Sequence, residues 1–335
     1  MKVLQLGFGA VGRENVRQLL NKRHHIVAIV DTQDVLDSID FSEFEFGKAP
    51  LPLLNSSLSF CLEETQPDVI LQATTFEPQD MIEVIRTAAT TRTDVISING
   101  IVNSEVLQPP MHDEINSIAK KAGIRVLGVG AIPGFFSDVI PLTFTGCCSQ
   151  VQSINFKRRA DYSKWGPDVM KRYGFGLSET DFERAAKSGE ITLFKSLWQS
   201  AYFIARELGW SVTEEYESKH PIISTRNRQG EYVRVLAGTV GGFSHCVTLV
   251  FDNERRLVLE VVGYLDPAGP NEAPEMTIDI VGNSTMRVEV SGEVLSGAGS
   301  MTSSSARMVN SIEPLTATMP GLRSPADLPL VSCRA

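Results

Sequence analysis

The sequence lacks any apolar run close to the ~20 residues that a membrane-spanning helix needs, so we expect no membrane partner. Its five cysteines contain no Cys-x-x-Cys pair and no spacing typical of a zinc site, so we expect no metal. Basic clusters are few and short, and the formal net charge is −9. Because nucleic acids require a basic surface, this charge argues against a nucleic-acid partner.

The overall composition is that of a globular protein. Hydrophobic residues make up 42% of the 335 residues and charged residues 21%, and the chain is long enough for two domains. The cysteines do not form the pattern of a disulfide framework. The first predicted strand begins close to Met1, so we expect no leader peptide and a cytoplasmic location.

The first dozen residues carry the strongest functional pattern in the chain. An apolar run over residues 3–6 predicts a buried parallel strand, and it leads directly into Gly7-x-Gly9-x-x-Gly12. In dinucleotide-binding folds the first glycine makes a tight turn, the second lets the backbone approach a pyrophosphate, and the third lets the helix pack on the strand. The N-terminus of that helix supplies free N–H groups for the phosphates. This order favours a dinucleotide site over an ordinary glycine turn.

An acidic residue at the end of the next strand indicates which dinucleotide binds. The apolar run 26–30 ends in Asp31, 19 residues after Gly12. A carboxylate there accepts hydrogen bonds from the ribose hydroxyls of NAD and repels the 2′-phosphate of NADP. The following Thr32 and Gln33 bring no cation to a phosphate. We therefore favour NAD, and NADP remains an alternative if a distant cation such as Lys48 reaches the site.

The first part of the chain alternates strands and helices, which predicts an α/β, Rossmann-type doubly wound parallel sheet. Ligands of such sheets bind beyond the carboxyl ends of the strands, so the loops at residues 7–12, 73–76, 99–103 and 130–134 should meet the cofactor. The cofactor contacts expected from these loops and from the second strand are Gly7, Phe8, Gly9, Ala10, Val11, Gly12, Asp31, Ala73, Thr74, Thr75, Asn99, Gly100, Ala131 and Pro133.

The pattern changes after about residue 148, where strand-like runs separated by turns predict an α+β domain with a mainly antiparallel sheet. The strands expected there are 151–160, 232–240, 245–252, 257–263, 276–281 and 286–290, with helices over 179–186 and 193–208. A final helix over 301–319 is expected to return to the first domain. We thus predict a dinucleotide-binding domain of residues 1–148 joined by 300–335, and a substrate and dimerisation domain of residues 149–299.

A second motif adds a family resemblance. The stretch 128–143 reads G-V-G-A-I-P-G-F-F-S-D-V-I-P-L-T and resembles the G-x-x-x-N-P-G-F-x-x-D-x-x-P-L segment of the 2,4-diaminopentanoate dehydrogenase family. That family includes NAD(P)-dependent native amine dehydrogenases and is related in fold to dihydrodipicolinate reductase. The resemblance implies an NAD(P)-dependent oxidoreductase that reduces an imine or carbonyl, or oxidises the corresponding amine, of a small amino-acid-like metabolite. It also implies a homodimer.

The chain departs from the family pattern at two places. Ile132 stands where the family has the Asn of its N-P-G-F motif. The loop after the fifth strand, where the family usually carries a Glu that binds the substrate amine, has no carboxylate before Glu105. Asn99 and the backbone of Gly100 offer neutral hydrogen bonds instead. We therefore expect a substrate whose reacting end is a carbonyl or a cyclic or secondary imine, and poor amination of simple ketones by free ammonia.

Candidates for the chemistry follow from the need for a proton donor and for groups that neutralise charge. Lys164 or Tyr173 could donate a proton, and an Arg of the segment 158–172 could bind a carboxylate bidentately. The catalytic candidates are Asn99, Asp161, Lys164 and Tyr173. His245 fits a structural role better than a catalytic one. Two other function classes stay open: a Rossmann enzyme whose bound NAD serves non-redox chemistry such as a cyclase or lyase, and a non-catalytic NAD(H)-binding protein.

Overall fold

The computed structural model describes residues 1–74, 78–98, 101–103, 109–194, 196–295 and 297–334. The predicted site residues Thr75, Asn99 and Gly100 lie outside these ranges. The chain forms two compact units, one of Met1–Phe135 with Met301–Ala335 and one of Phe136–Ser300. Residues 136–148, which the sequence assigns to the first domain, lie in the second unit. The cofactor and substrate roles of the two units stay predictions.

The first unit contains a seven-stranded sheet in which every described strand pair is parallel. Its order is β15-β6-β5-β4-β1-β2-β3, so the strand order reverses beside β1, where such folds bind their ligands. With strands numbered along the chain, these are β1 (Lys2–Leu6), β2 (His25–Val30), β3 (Leu53–Asn55), β4 (Val69–Gln72), β5 (Asp94–Ser97), β6 (Arg125–Gly128) and β15 (Gly321–Arg323).

Helices cover both faces of this sheet, as the doubly wound prediction requires. Successive residues of β1 point to opposite faces of the sheet and pack against different helices. Val3 belongs to one apolar cluster with residues of α1, α10 and α11, and Leu4 belongs to another with residues of α3, α4 and α5. The Rossmann-type fold is therefore confirmed. The helices of this unit are α1 (Ala10–Asn21), α2 (Gln33–Asp37), α3 (Leu58–Thr65), α4 (Pro78–Thr90), α5 (Pro109–Ala122), α10 (Gly297–Asn310, which begins in the second unit) and α11 (Ile312–Thr316).

The second unit is built on a six-stranded mixed sheet of order β14-β13-β7-β12-β11-β8. Its β7–β12 pair is parallel and the other pairs are antiparallel, which confirms the mainly antiparallel prediction. The strands are β7 (Val151–Asp161), β8 (Val212–Ile223), β11 (Val240–Phe251), β12 (Arg256–Tyr264), β13 (Glu275–Gly282) and β14 (Thr285–Val290), beside a short pair of β9 (Arg228–Gln229) and β10 (Arg234–Val235). The helices are α6 (Val139–Thr145), α7 (Pro167–Arg172), α8 (Glu179–Ser188) and α9 (Ser196–Leu208).

Three elements differ from the sequence-based expectations. The expected strand over 232–240 is wrong: only Arg234–Val235 and Val240, the first residue of β11, pair there, and residues 236–239 form the turn between them. The twelve-residue β8 was missed, because it is an edge strand whose many exposed polar residues hide the usual alternation. The expected single helix over 301–319 is two helices, α10 and α11, of which the second ends at Thr316.

Short 3-10 helices complete the described chain, at Phe41–Glu43, Asp252–Glu254, Glu293–Leu295 and Pro325–Asp327. Within the described ranges no helix has both the length and the apolarity needed to cross a membrane.

Candidate functional site

The three glycines of the first loop have two different roles. Gly7 has a φ of +87°, and a Cβ on it would lie 2.5 Å from the carbonyl oxygen of Ala73. A Cβ on Gly12 would lie 2.0 Å from the carbonyl oxygen of Gly7, so both positions exclude every side chain. A Cβ on Gly9, in contrast, would have no heavy atom within 4 Å among the described residues. The backbone at Gly9 is therefore open to a ligand.

The N-terminus of α1, the helix that follows, has the features of an anion-binding site. Gly9 is the N-cap of α1, no side chain of the described residues caps it, and its first turn contains no acidic residue. The N–H groups of the first helical residues, Ala10, Val11 and Gly12, have no partner within the helix. Together with the open backbone at Gly9, this arrangement fits the pyrophosphate of a dinucleotide.

Asp31 holds the glycine loop to the end of β2. Its Oδ2 accepts a hydrogen bond from the backbone N–H of Phe8 at 2.5 Å, and its Oδ1 accepts one from the N–H of Thr32 at 2.7 Å. Each carboxylate oxygen keeps a second lone pair. Asp31 can therefore shape the loop and still accept a hydroxyl hydrogen bond, as the sequence predicts for a ribose.

Buried polar side chains of β1 and β4 form hydrogen bonds to the loops that follow these strands, and this role was not predicted from the sequence. Gln5 donates through Nε2 to the carbonyl oxygen of Gly7 at 2.8 Å and accepts from Asn15 Nδ2 at 3.1 Å. Gln72 accepts from Ser97 Oγ at 2.5 Å and donates to Thr74 Oγ1 at 2.6 Å. The pattern that could have revealed them is a single polar residue inside each apolar strand, as in V-L-Q-L and V-I-L-Q.

The remaining predicted cofactor residues lie in the loops after β4 and β6. Ala73 follows β4 and donates its N–H to the carbonyl oxygen of Leu6 at 2.8 Å, which ties that loop to β1. Ala131 follows β6 and donates to Ser304 Oγ at 3.4 Å, and Pro133 beside it is buried. The described cofactor candidates thus all belong to the first unit, at the carboxyl end of its parallel sheet.

The described catalytic candidates lie in the second unit in different surroundings. The Oδ1 of Asp161 accepts hydrogen bonds from both the backbone N–H and the hydroxyl of Ser163, which makes this carboxylate part of a turn. Lys164 is exposed. Tyr173 packs its ring against Tyr162 at a centroid distance of 5.6 Å, and burial raises the pKa of Tyr173.

Tyr173 belongs to an aromatic cluster on the inner face of the second sheet. The ring centroids of its members lie 5.2–6.4 Å from their neighbours. Such contacts stabilise one fixed arrangement of the rings. The cluster comprises Tyr162, Tyr173, Phe175, Phe194 and Phe243.

A buried guanidinium lies next to this cluster. Arg158, on β7, is 4% exposed, and its Nη2 donates to Ser300 Oγ at 3.1 Å. Its Nε has no hydrogen-bond partner, and no carboxylate of the described residues pairs with it. Burial lowers the pKa of Arg158, and the Tyr162 side chain acts against that shift. An arginine keeps its charge even so, and a buried charge without a counter-ion is costly.

The two cations that flank Arg158 in the sequence both have carboxylate partners, whereas Arg158 has none among the described residues. Lys157 pairs with Glu260 at 2.8 Å, and Arg159 pairs with Glu275. Both alternate with Arg158 along β7 and are more exposed than it is. The sequence predicts a carboxylate-binding arginine within 158–172, and burial distinguishes Arg158 from the other arginines of that segment.

His245 has the structural role that the sequence favoured. Its Nδ1 accepts the backbone N–H of Phe194 at 3.2 Å, so its Nε2 carries the proton and donates to Glu217 Oε1 at 2.9 Å. Burial lowers the pKa of His245, which keeps the ring neutral. Burial alone would raise the pKa of Glu217, but hydrogen bonds from His245, Lys219 and Trp198 together lower it.

Comparison with known proteins shows that the sequence is similar to one family. Residues 135–335 match the model of the 2,4-diaminopentanoate dehydrogenase C-terminal domain. The 2,4-diaminopentanoate dehydrogenase of Acetoanaerobium sticklandii is 26% identical over 334 residues, which cover 98% of this chain and 94% of that protein.

Solved structures share the fold. The amine dehydrogenase of Mycobacterium smegmatis superposes with a TM-score of 0.82 at 18% identity, covering all of this chain and 97% of the other. An Agrobacterium radiobacter oxidoreductase in complex with NAD+, L-tartaric acid and magnesium has a TM-score of 0.59 at 16% identity, covering 98% and 92% of the two chains. Since the family model spans more than half of the chain, the protein belongs to the 2,4-diaminopentanoate dehydrogenase family.

Proposed function

We propose that the protein is an NAD(P)-dependent oxidoreductase that reduces the C=N or C=O group of a small metabolite bearing a carboxylate, or oxidises the corresponding amine or alcohol. The observation that carries the proposal is the buried guanidinium of Arg158, which has no carboxylate partner among the described residues. A bound carboxylate would supply the missing counter-ion and accept two parallel hydrogen bonds. Membership of a dehydrogenase family supports redox chemistry over the non-redox and non-catalytic alternatives.

The first unit has the features that a nicotinamide dinucleotide requires. The N–H groups at the start of α1 would hold the pyrophosphate beside the open backbone of Gly9, and Asp31 would accept a ribose hydroxyl. When bound, the nicotinamide ring supplies or accepts the hydride. The charge of Asp31 favours NAD(H) over NADP(H). A structural neighbour of the same fold is described in complex with NAD+, which agrees with this choice.

The second unit would provide recognition and proton control. Arg158 would fix the carboxylate end of the substrate, and the aromatic cluster would exclude water around it. Because burial raises the pKa of Tyr173, its Oη stays protonated at neutral pH and would donate a hydrogen bond to the nitrogen or oxygen being reduced. Asp161 would hold the neighbouring turn through Ser163. Lys164 and Asn99 remain further candidates for proton transfer.

The test is a substrate panel assayed by NADH and NADPH absorbance at 340 nm. It should contain 2-oxo and 4-oxo acids with and without ammonia, cyclic imino acids, simple ketones with ammonia, and the methyl ester of each acid as its matched control. We expect oxidation of NADH with at least one acid and much slower reaction with its ester. We also expect simple ketones with ammonia to be poor substrates. Equal rates for an acid and its ester would contradict the carboxylate assignment, and no reaction by any member would contradict the reductase assignment.

The state of the protein in solution is a separate part of this proposal. The family resemblance and the large mixed sheet of the second unit favour a homodimer with a small-molecule substrate as its only other partner. Light scattering at tens of micromolar protein would test this. A monomer mass would contradict it.

A further inference from the structure

Two arginines and two glutamates form a charge cluster next to the glycine loop. Glu43 Oε2 lies 3.6 Å from Arg13 Nη1 and 3.6 Å from Arg17 Nη2. Arg13 belongs to the first turn of α1, and Arg17 follows one turn later on the same helix. Glu43 ends the 3-10 helix Phe41–Glu43, in the segment between β2 and β3. Glu43 therefore pairs with two cations of the predicted cofactor helix, of which Arg17 also lies 3.7 Å from Glu14.

This cluster is connected to Asp31 through one residue. The guanidinium of Arg13 lies 4.9 Å from the centroid of the Phe8 ring, and the backbone N–H of Phe8 is the group that Asp31 binds. The Phe8 ring also packs against Phe44 at a centroid distance of 5.7 Å. Phe44 follows Glu43, so the segment that carries Glu43 is fixed against the same loop. Arg13 is thus a cation close to the carboxylate that would bind the adenosine ribose.

The sequence has no cation directly after Asp31 and left open a distant cation, with Lys48 as the example, whereas the structure brings Arg13 to this loop. In dinucleotide-binding folds an acid at the end of the second strand selects NAD, and an arginine nearby accommodates the 2′-phosphate of NADP. This chain has both groups. What decides between the two cofactors is then whether the arginine is available to a phosphate.

We propose that Glu43 is a cofactor-specificity residue, which favours NADH because it neutralises Arg13 and Arg17 when no 2′-phosphate is present. The inference rests on the proposed function, since it requires a dinucleotide in the glycine loop. A 2′-phosphate that approaches Arg13 must compete with Glu43 for the guanidinium and is repelled by both Glu43 and Asp31. NADH carries no such phosphate and is not affected by this competition.

Glu43 can be substituted without a large loss of stability. The side chains of Arg13, Arg17 and Glu43 are 27%, 45% and 48% exposed, and ion pairs this exposed contribute little to stability. Loss of Glu43 should therefore leave the fold intact. It should release Arg13 to pair with a phosphate.

The experiment measures the dissociation constants of NADH and NADPH for the full-length protein by titration of nucleotide fluorescence. We expect Glu43→Gln to tighten NADPH binding by about tenfold and to change NADH binding by less than about twofold. Glu45→Gln is the matched control, because Glu45 is exposed, carries the same charge two residues away, and forms no ion pair with a described residue. We expect it to leave the preference between the two cofactors within about twofold of the unmodified protein.

A second variant separates a specific effect from a general loss of negative charge. Adding Arg13→Gln to Glu43→Gln should reverse the gain in NADPH affinity, since the released cation is then absent. The inference is overturned if Glu43→Gln leaves the NADPH affinity unchanged, or if Glu45→Gln produces the same gain. It fails together with the proposed function if the unmodified protein binds neither nucleotide, whereas binding of NADH with no effect of Glu43→Gln overturns the inference alone.

Discussion

The two units of the molecule prepare their candidate sites in opposite ways. In the first unit side chains of the protein fix the shape of the glycine loop, because Asp31 binds two backbone N–H groups and Gln5 binds the carbonyl of Gly7. The N–H groups at the start of α1 are left for a ligand. In the second unit Arg158 is buried with an unpartnered Nε and without a carboxylate from any described residue. Such a loop recognises its ligand by backbone shape, open space and backbone N–H groups. A buried unpaired charge instead selects its ligand by charge.

We expect the largest effects from substitutions of two glycines in the same loop. Gly12→Ala puts a Cβ 2.0 Å from the carbonyl oxygen of Gly7, so we expect the protein to lose more than about 3 kcal/mol of unfolding free energy. Gly9→Ala places its Cβ in open space and keeps an ordinary φ of −71°, so its stability should change by less than about 0.5 kcal/mol. NADH affinity should nevertheless fall at least about tenfold in Gly9→Ala, since the methyl group occupies the place of the pyrophosphate.

Thermal unfolding and NADH titration of the two variants check this prediction. A folded Gly9→Ala protein with unchanged NADH affinity would mean that the open backbone at Gly9 is not where the cofactor binds.

The second prediction tests the unpaired charge. Arg158→Met should lower kcat/KM for a carboxylate substrate by about 100-fold or more, since a charge-assisted bidentate contact is lost. The melting temperature should stay the same or rise, because an apolar side chain replaces a buried charge that has no counter-ion. Steady-state kinetics and thermal unfolding measure the two effects.

Arg159→Met is the control for this variant. Arg159 pairs with Glu275 and donates to the carbonyl oxygens of Asn271 and Ala273, so its role is accounted for within the protein. It should leave kcat/KM nearly unchanged. If the two variants lose activity equally, Arg158 is not the carboxylate-binding group.

The contrast between the units also explains what could be predicted from the sequence. For the first unit, the fold and the position of the glycine loop could be predicted from residues that are adjacent in the chain. A strand, three glycines and a helix follow one another, and parallel strands bring their loops to one edge of the sheet. Arg158 could not be distinguished from Lys157 or Arg159 in the sequence. What separates them is the register of β7 between β12 and β13, which decides which side chain points into the unit.

The same limit applies to contacts between distant segments. Glu43 lies 30 residues after Arg13 in the sequence, in a stretch that shows no strong periodicity, and only packing of Phe44 on Phe8 brings the two charges together. The buried amides of Gln5 and Gln72 were visible as polar residues in apolar strands. Their partners were not, since these depend on the neighbours of each strand in the sheet.

The third prediction concerns Asp31, whose carboxylate is hydrogen-bonded within the first unit. Asp31→Ala removes the acceptor of the Phe8 and Thr32 N–H groups together with the charge that repels a 2′-phosphate. NADH affinity should fall about tenfold, whereas NADPH affinity should fall less, so the preference for NADH narrows. Titrations with both nucleotides measure the ratio. Equal or tighter binding of NADPH than of NADH by the unmodified protein would contradict the preference itself.

The smallest effect should come from His245, which is as buried as Arg158 but has partners for both ring nitrogens. Burial lowers the pKa of His245 from 6.5, so the unfolded chain takes up a proton at a pH where the folded protein does not. The contribution to stability is therefore complete above the unfolded pKa and decreases as the pH falls through 6.5 towards the folded pKa. His245→Gln should remove this part of the pH dependence, changing melting temperatures by a few degrees at most.

Melting curves between about pH 8 and pH 5 measure it, with His220→Gln as the control because His220 is exposed on β8. We expect His220→Gln to keep the slope of the unmodified protein and His245→Gln to flatten it. Activity of His245→Gln towards a carboxylate substrate should remain, since a buried group that is satisfied within the protein has no charge to offer a ligand. A loss of substrate affinity in His245→Gln would instead assign this histidine to the same binding site as Arg158, and the distinction between satisfied and unsatisfied buried groups in this unit would not hold.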